Sequence, residues 1–166
     1  LGHSGTVRFL KNISGLWLIQ ECKRQWAIDG EDLDYAALAE LAIEAPAFTA
    51  FIDPDHPSFS TAGDMPEKIQ EYCRATGQTV PQVKGKILRI ATDSIALKYR
   101  VTYDKICHLT GSSFARLHVG GGGIQNTHLT QATANALGIE VVAGPVEATS
   151  CGNIAIQMIA TGHLPS

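Results

Sequence analysis

A chain of 166 residues with 45% hydrophobic and 17% charged content carries enough apolar material for one packed core of ordinary domain size. A net charge of −3, with no run of Lys or Arg, excludes the electrostatic footprint of a nucleic-acid or anionic-membrane binder. No apolar stretch reaches the roughly 18 residues of a membrane span, and Leu1 to Gly5 lacks the regions of a signal peptide, so the chain reads as soluble and cytoplasmic. Cys22, Cys73, Cys107 and Cys151 are widely and irregularly spaced, without a C-x-x-C pair. They read as isolated thiols in a reducing compartment. Cys107 and His108 lack a second ligand pair, so no metal site made by side chains is expected.

In chain order, TVRFLK (6–11) alternates like a strand, and Asn12 opens an apolar helical run over 13–28. Residues 32–45 place Leu33, Ala37, Leu41 and Ala45 four apart, an amphipathic helix closed by Pro46. Residues 51–63 hold Pro54, Pro57 and Gly63 among Asp53, Asp55 and His56, and read as a loop. Asp64 then caps a helix with Pro66 in its first turn, Glu67 at the capping-box spacing and Gly77 after its end. Pro81 starts a long helix to about residue 109, with Ile87, Ala91, Ser94, Ile95 and Lys98 on its packed face and Gly111 beyond its end. A strand over 116–119, a glycine turn over 120–123, a helix over 126–137 stopped by Gly138 and a strand over 139–143 compose a β-turn-α-β unit. Pro145 and Glu147 begin a last helix that reaches about residue 160 and ends at Gly162. The order predicts an α/β fold with parallel strands, because a crossover helix between two strands of one sheet almost always makes them parallel.

Four glycines between a strand and a helix form the most informative local feature. Glycine lets backbone approach an anion closely and adopt positive φ, and the N–H groups at a helix start suit phosphate oxygens. A merely flexible turn explains the same residues. No G-K-[ST] follows, and the last glycine of G-x-G-x-x-G is replaced by Gln125 or Asn126, depending on register, so this is neither a P-loop nor a regular dinucleotide fingerprint. Asn126 stands where it can cap the helix, hydrogen-bond a purine edge, or do both.

The segments LKNISGLWLIQE (10–21), FIDPDHPSF (51–59), DMPEKIQEYCRATGQTVP (64–81), LHVGGGGIQNTHLTQATANALG (117–138) and VVAGPVEATSCGNIAIQMIATG (141–162) together cover almost the whole chain in order. They resemble the C-terminal half of rhamnulokinases, members of the carbohydrate kinase family that also contains glycerol, xylulose and fuculose kinases. The resemblance implies two actin-like, ribonuclease H-like domains with the active site between them. Residues 1–166 are then most of the second, nucleotide-binding domain, an incomplete fragment whose N-terminal domain lies outside the chain. It further implies that Gly121, Gly122 and Gly123 lie along ATP with Asn126 beside the adenosine, that Asn12 touches the sugar, and that Gln20 contacts ATP. On a continuous helix Asn12 and Gln20 fall near one face about 12 Å apart, a span comparable to sugar plus polyphosphate. From the residues alone, capping by Asn12 and a solvated amide at Gln20 are the preferred readings. Gly120, Ser14, His128 and Cys151 depart from the residues commoner in such kinases, and Cys73 matches a half-cystine whose partner position is Ile90.

The implied activity is ATP- and Mg²⁺-dependent phosphorylation of a ketose, L-rhamnulose to L-rhamnulose 1-phosphate in rhamnose breakdown. The alternatives are a kinase for fuculose or xylulose, and a non-catalytic actin-like nucleotide-binding module. No carboxylate here matches the family's catalytic Asp; Asp93 and Asp104 read as exposed helix residues, and the isolated fragment is expected to be inactive.

Overall fold

A computed structural model describes residue 5 and residues 9–165. Its elements, in order, are α1 (Trp17–Ile28), α2 (Tyr35–Glu44), a 3₁₀ turn (Pro57–Phe59), α3 (Met65–Ala75), α4 (Lys84–Thr110), β1 (Arg116–Val119), a second 3₁₀ turn (Gly122–Gln125), α5 (Thr127–Leu137), β2 (Glu140–Ala143) and α6 (Ala148–Ala160). The expected strand over 6–11 lies partly outside the described residues, and residues 9–11 are irregular.

β1 and β2 pair in parallel, Arg116 opposite Glu140 through Val119 opposite Ala143, with α5 as the crossover predicted from the sequence. The core lies elsewhere, among the helices. Leu18, Cys22 and Trp26 of α1, Leu38 and Ala42 of α2, Phe59 of the first 3₁₀ turn, Ile69 and Cys73 of α3, and Leu88, Ala91 and Ile95 of α4 form one buried cluster. No residue of β1, β2 or α6 is fully buried. Burial pushes the Cys22 thiol up, with Asp64 and Glu21 adding to it, and burial does the same to Cys73, so both pack as neutral apolar groups.

Local signals account for most helix ends. The Asp34 side chain accepts from Ala37 N–H at 2.8 Å and Asp64 from Glu67 N–H at 2.9 Å, while Gly111 and Gly138 end α4 and α5 with φ of 64° and 68°. Two starts differ from expectation. α1 begins at Trp17 rather than near residue 13, and Ser14 lies on the irregular segment before it, its N–H donating to Asp55 Oδ1 at 3.0 Å. Asn12 therefore does not cap α1, and it does not share a helix face with Gln20. α4 begins at Lys84 rather than at Pro81: Val83 is extended, and the Pro81 carbonyl accepts from Gln70 Nε2 at 2.7 Å. The buried stripe of α2 is centred on Leu38 and Ala42, one position from the stripe read in the sequence, with Leu33 and Leu41 packed partly against the core.

α4 is buried all round over Gly85–Ala96 in its N-terminal part, except for the half-buried Lys86 and Arg89. α2 packs on it so closely that a Cβ on Gly85 would stand 2.5 Å from the Leu41 carbonyl oxygen. Further along, Arg100 Nη1 donates to the Ala136 and Leu137 carbonyls at 3.1 and 3.3 Å, placing a cation at the C-terminal end of α5.

Replacing glycine by alanine inside a helix ordinarily gains about 1 kcal/mol, whereas forcing an atom into filled space costs about 1–3 kcal/mol. The obstacle at Gly85 is backbone, which cannot rotate away, so the second effect prevails. Gly85→Ala is expected to lower unfolding stability by about 1–2 kcal/mol, read as a lower urea midpoint at unchanged slope.

Candidate functional site

α1, α2, the N-terminal half of α4, the glycine turn and the start of α5 enclose a cleft of about 800 Å³, within the range of small-molecule sites. Each wall has a sequence origin. From α1 come Ile19 and Gln20, within one turn of its start at Trp17, and Gln20 is exposed. α2 contributes Ala36, Ala39 and Ala42, three apart and hence along one side of the helix, where small side chains leave room for a flat group.

The four glycines divide their work. Gly120 ends the strand segment under close packing, since a Cβ there would meet the Ala148 Cβ at 2.8 Å. Gly121 has φ of 92°, a conformation other residues rarely adopt, and its N–H donates to the Pro145 carbonyl at 3.0 Å. Gly122 and Gly123 line the cleft. A Cβ on Gly122 would meet no protein atom within 4 Å, whereas one on Gly123 would press the Leu16 side chain at 3.1 Å. Gly122 and Gly123 also donate no backbone hydrogen bond among the described residues, so their N–H groups remain available at the cleft surface.

Asn126 closes the turn. Its Oδ1 accepts from Leu129 N–H at 2.9 Å, capping α5, while its side chain also borders the cleft. Capping and cleft lining thus coincide in one residue, as its position in GGGGIQN allowed. Of the site residues read from the sequence, the structure gathers Gln20, Gly122, Gly123 and Asn126 around one space, with Gly121 shaping the turn behind them. Asn12 is not among the cleft-lining residues; it lies on the irregular segment that leads to α1.

Two features were not read from the sequence. The alanine side of α2 was visible only as an i, i+3 spacing of small residues, which equally describes helix packing. His128 lines the cleft with Nε2 buried and without a hydrogen-bond partner among the described residues. Burial, helped by the nearby Arg89 guanidinium and opposed by Asp93, holds its pKa below the usual imidazole value, so the ring is neutral at pH 7.

Among the described residues, no acidic side chain lines the cleft. Asp93, expected on an exposed face, is instead buried; it accepts from Phe48 N–H and Arg89 Nε, both at 2.9 Å, and is committed to holding the segment after α2. Asp104 is paired with Arg100. Among the described residues no group of three or more His, Cys, Asp or Glu is placed to hold a metal ion, and no helix is long and apolar enough to cross a membrane.

The capping role of Asn126 is separable by substitution. Asn126→Ala should lower stability by about 1 kcal/mol, whereas Asn126→Asp, which retains the acceptor, should stay within a few tenths, as read from thermal midpoints.

The profile of the C-terminal domain of the FGGY family of carbohydrate kinases matches residues 1–161. A protein named rhamnulokinase from Bacteroides thetaiotaomicron is 44% identical over 162 residues, and one of the same name from Enterococcus faecalis is 47% identical over 165. Each comparison covers 98% of this chain but only 33% of the relative, so the chain spans about a third of the length of these proteins. With a family profile matched along nearly its whole length, this chain belongs to the FGGY carbohydrate kinases, as their C-terminal domain.

Proposed function

We propose that this chain forms the ATP-binding side of a sugar kinase of the actin-like, ribonuclease H-like fold, acting on L-rhamnulose to give L-rhamnulose 1-phosphate. The observation that carries the proposal is the gathering of Gln20, Gly122, Gly123 and Asn126 around one cleft of nucleotide size. The phosphates lie against the unengaged N–H groups of Gly122 and Gly123, where backbone alone faces the space. The base enters between α1 and the alanine side of α2, and the Asn126 amide nitrogen remains to donate while Oδ1 caps α5.

Transfer of a phosphoryl group depends on alignment and charge stabilisation, with a carboxylate accepting the sugar hydroxyl proton. Among the described residues the cleft offers no such carboxylate. We therefore assign the base, and most of the sugar pocket, to the two-thirds of the relatives' length outside this chain, namely the N-terminal domain of the same kinase. Mg²⁺ accompanies ATP in such chemistry. Among the described residues the cleft lining presents no carboxylate ligand for it. Asn12 is assigned to the sugar side, off the nucleotide cleft, which agrees with its position before α1. The name shared by both relatives supports L-rhamnulose over fuculose or xylulose.

Two measurements on the full-length protein test this reading. Gly122→Val fills the open space with a β-branched side chain and should weaken ATP binding by calorimetry at least tenfold, about 1.4 kcal/mol, with the protein still folded; unchanged affinity would remove the glycine turn from the site. In a coupled ADP-release assay, L-rhamnulose should support higher kcat/KM than L-fuculose or D-xylulose, and the 166-residue chain alone should show no sugar-dependent turnover. Equal turnover of the three sugars would contradict the substrate, and turnover by the short chain would place a base within it.

A further inference from the structure

A group of charges outside the cleft joins three remote parts of the chain. Asp55, in the loop after α2, accepts from Ser14 N–H through Oδ1 at 3.0 Å and from Lys11 Nζ through Oδ2 at 2.8 Å. The same Lys11 ammonium donates to the Asn12 carbonyl at 2.6 Å. Lys98 of α4 stands 3.2 Å from Asp55 Oδ2 and 2.7 Å from Asp53 Oδ1, and that Asp53 oxygen accepts from Asp55 N–H at 3.0 Å. Burial alone would raise the Asp55 pKa, but the hydrogen bonds from Lys11, Ser14 and Lys98 outweigh it and bring it to about 2. The carboxylate is therefore charged throughout the working range of any cytosolic enzyme.

The arrangement is more than a surface ion pair, since an exposed pair by itself adds little stability. One oxygen of Asp55 holds the residue before Asn12 and the other holds the residue two positions after it, so the backbone carrying Asn12 is fixed from both sides. The anchor is itself tied to α4 through Lys98, two residues past the buried stretch of that helix.

We propose that Asp55 is a positioning residue for sugar binding, acting through Asn12, with Lys98 as its support. This rests on the assignment of Asn12 to the sugar made above. In the proposal Asp55 touches neither sugar nor nucleotide. It holds a ligating side chain in register, a kind of constraint whose loss by an ångström costs far more in substrate orientation than in stability.

The test uses the full-length kinase with L-rhamnulose and ATP, and circular dichroism to confirm folding. Asp55→Ala should raise the KM for L-rhamnulose about tenfold while the KM for ATP stays within about twofold, and Lys98→Met should act in the same direction but less. Asn12→Ala should raise the sugar KM by itself, and adding Asp55→Ala to it should raise that KM no further. Should Asp55→Ala fail to fold, Asp55→Asn, which keeps the shape and one acceptor, replaces it in both arms with a smaller expected effect. If Asn12→Ala raises the sugar KM but the Asp55 and Lys98 variants do not, the positioning role is refuted while the assignment of Asn12 stands. If the Asp55 effect persists in full on the Asn12→Ala background, Asp55 does not act through Asn12. A sugar KM unchanged by Asn12→Ala would remove the assignment of Asn12, and this inference with it.

Discussion

Helix α4 receives α2 on one side and α5 on another, and the cleft exists because both helices lean on this one rod. At the first contact Gly85 lets the two backbones approach until only hydrogen fits between Cα and the Leu41 carbonyl. At the second, Leu129 and Thr133 of α5 are buried and Arg100 grips the end of the helix. A displacement of α2 would carry away the alanine wall, and a displacement of α5 would carry away the glycine turn that precedes it. The distance between these two walls is thus set by packing on α4 rather than by any contact across the cleft.

This division separates the proposed binding turn from the buried core. The helices around α4 contribute nearly all of the core, while the β1-turn-α5 unit contributes backbone geometry: a strand that delivers the chain, a positive φ at Gly121, and a capped helix start. A phosphate-binding turn needs free N–H groups and open space, both incompatible with being packed. It must therefore be carried on elements held from behind, and α5 provides that hold.

Much of this was legible in the sequence, for identifiable reasons. Turn and cap chemistry is local, so the parallel β-α-β unit, the caps at Asp64 and Asn126 and the glycine stops at Gly111 and Gly138 follow from residue types at fixed spacings. The start of α1 was not legible: the segment before it is irregular and is tied to Asp55, 41 residues from Ser14 in the chain, a contact that only folding creates. Asp93 was misread for the same kind of reason: its Phe48 partner is brought to it only by folding. The small residues of α2 and the buried ring of His128 gave no distinctive pattern, since alanine at i, i+3 and a single histidine are compatible with ordinary packing. Asn12 was read as opening a helix and lies instead on an irregular segment, which bonds from Lys11 and Ser14 hold in position.

The central claim is that the cleft between α1, α2 and the glycine turn holds the nucleotide. A crystal structure of the full-length kinase with a non-hydrolysable ATP analogue tests it most directly. The account predicts phosphate oxygens within hydrogen-bond distance of the Gly122 or Gly123 N–H groups, with the base beside Ala36 and Ala39 of α2. A nucleotide bound elsewhere, with Gly122 facing solvent and the alanine wall bare, would contradict it.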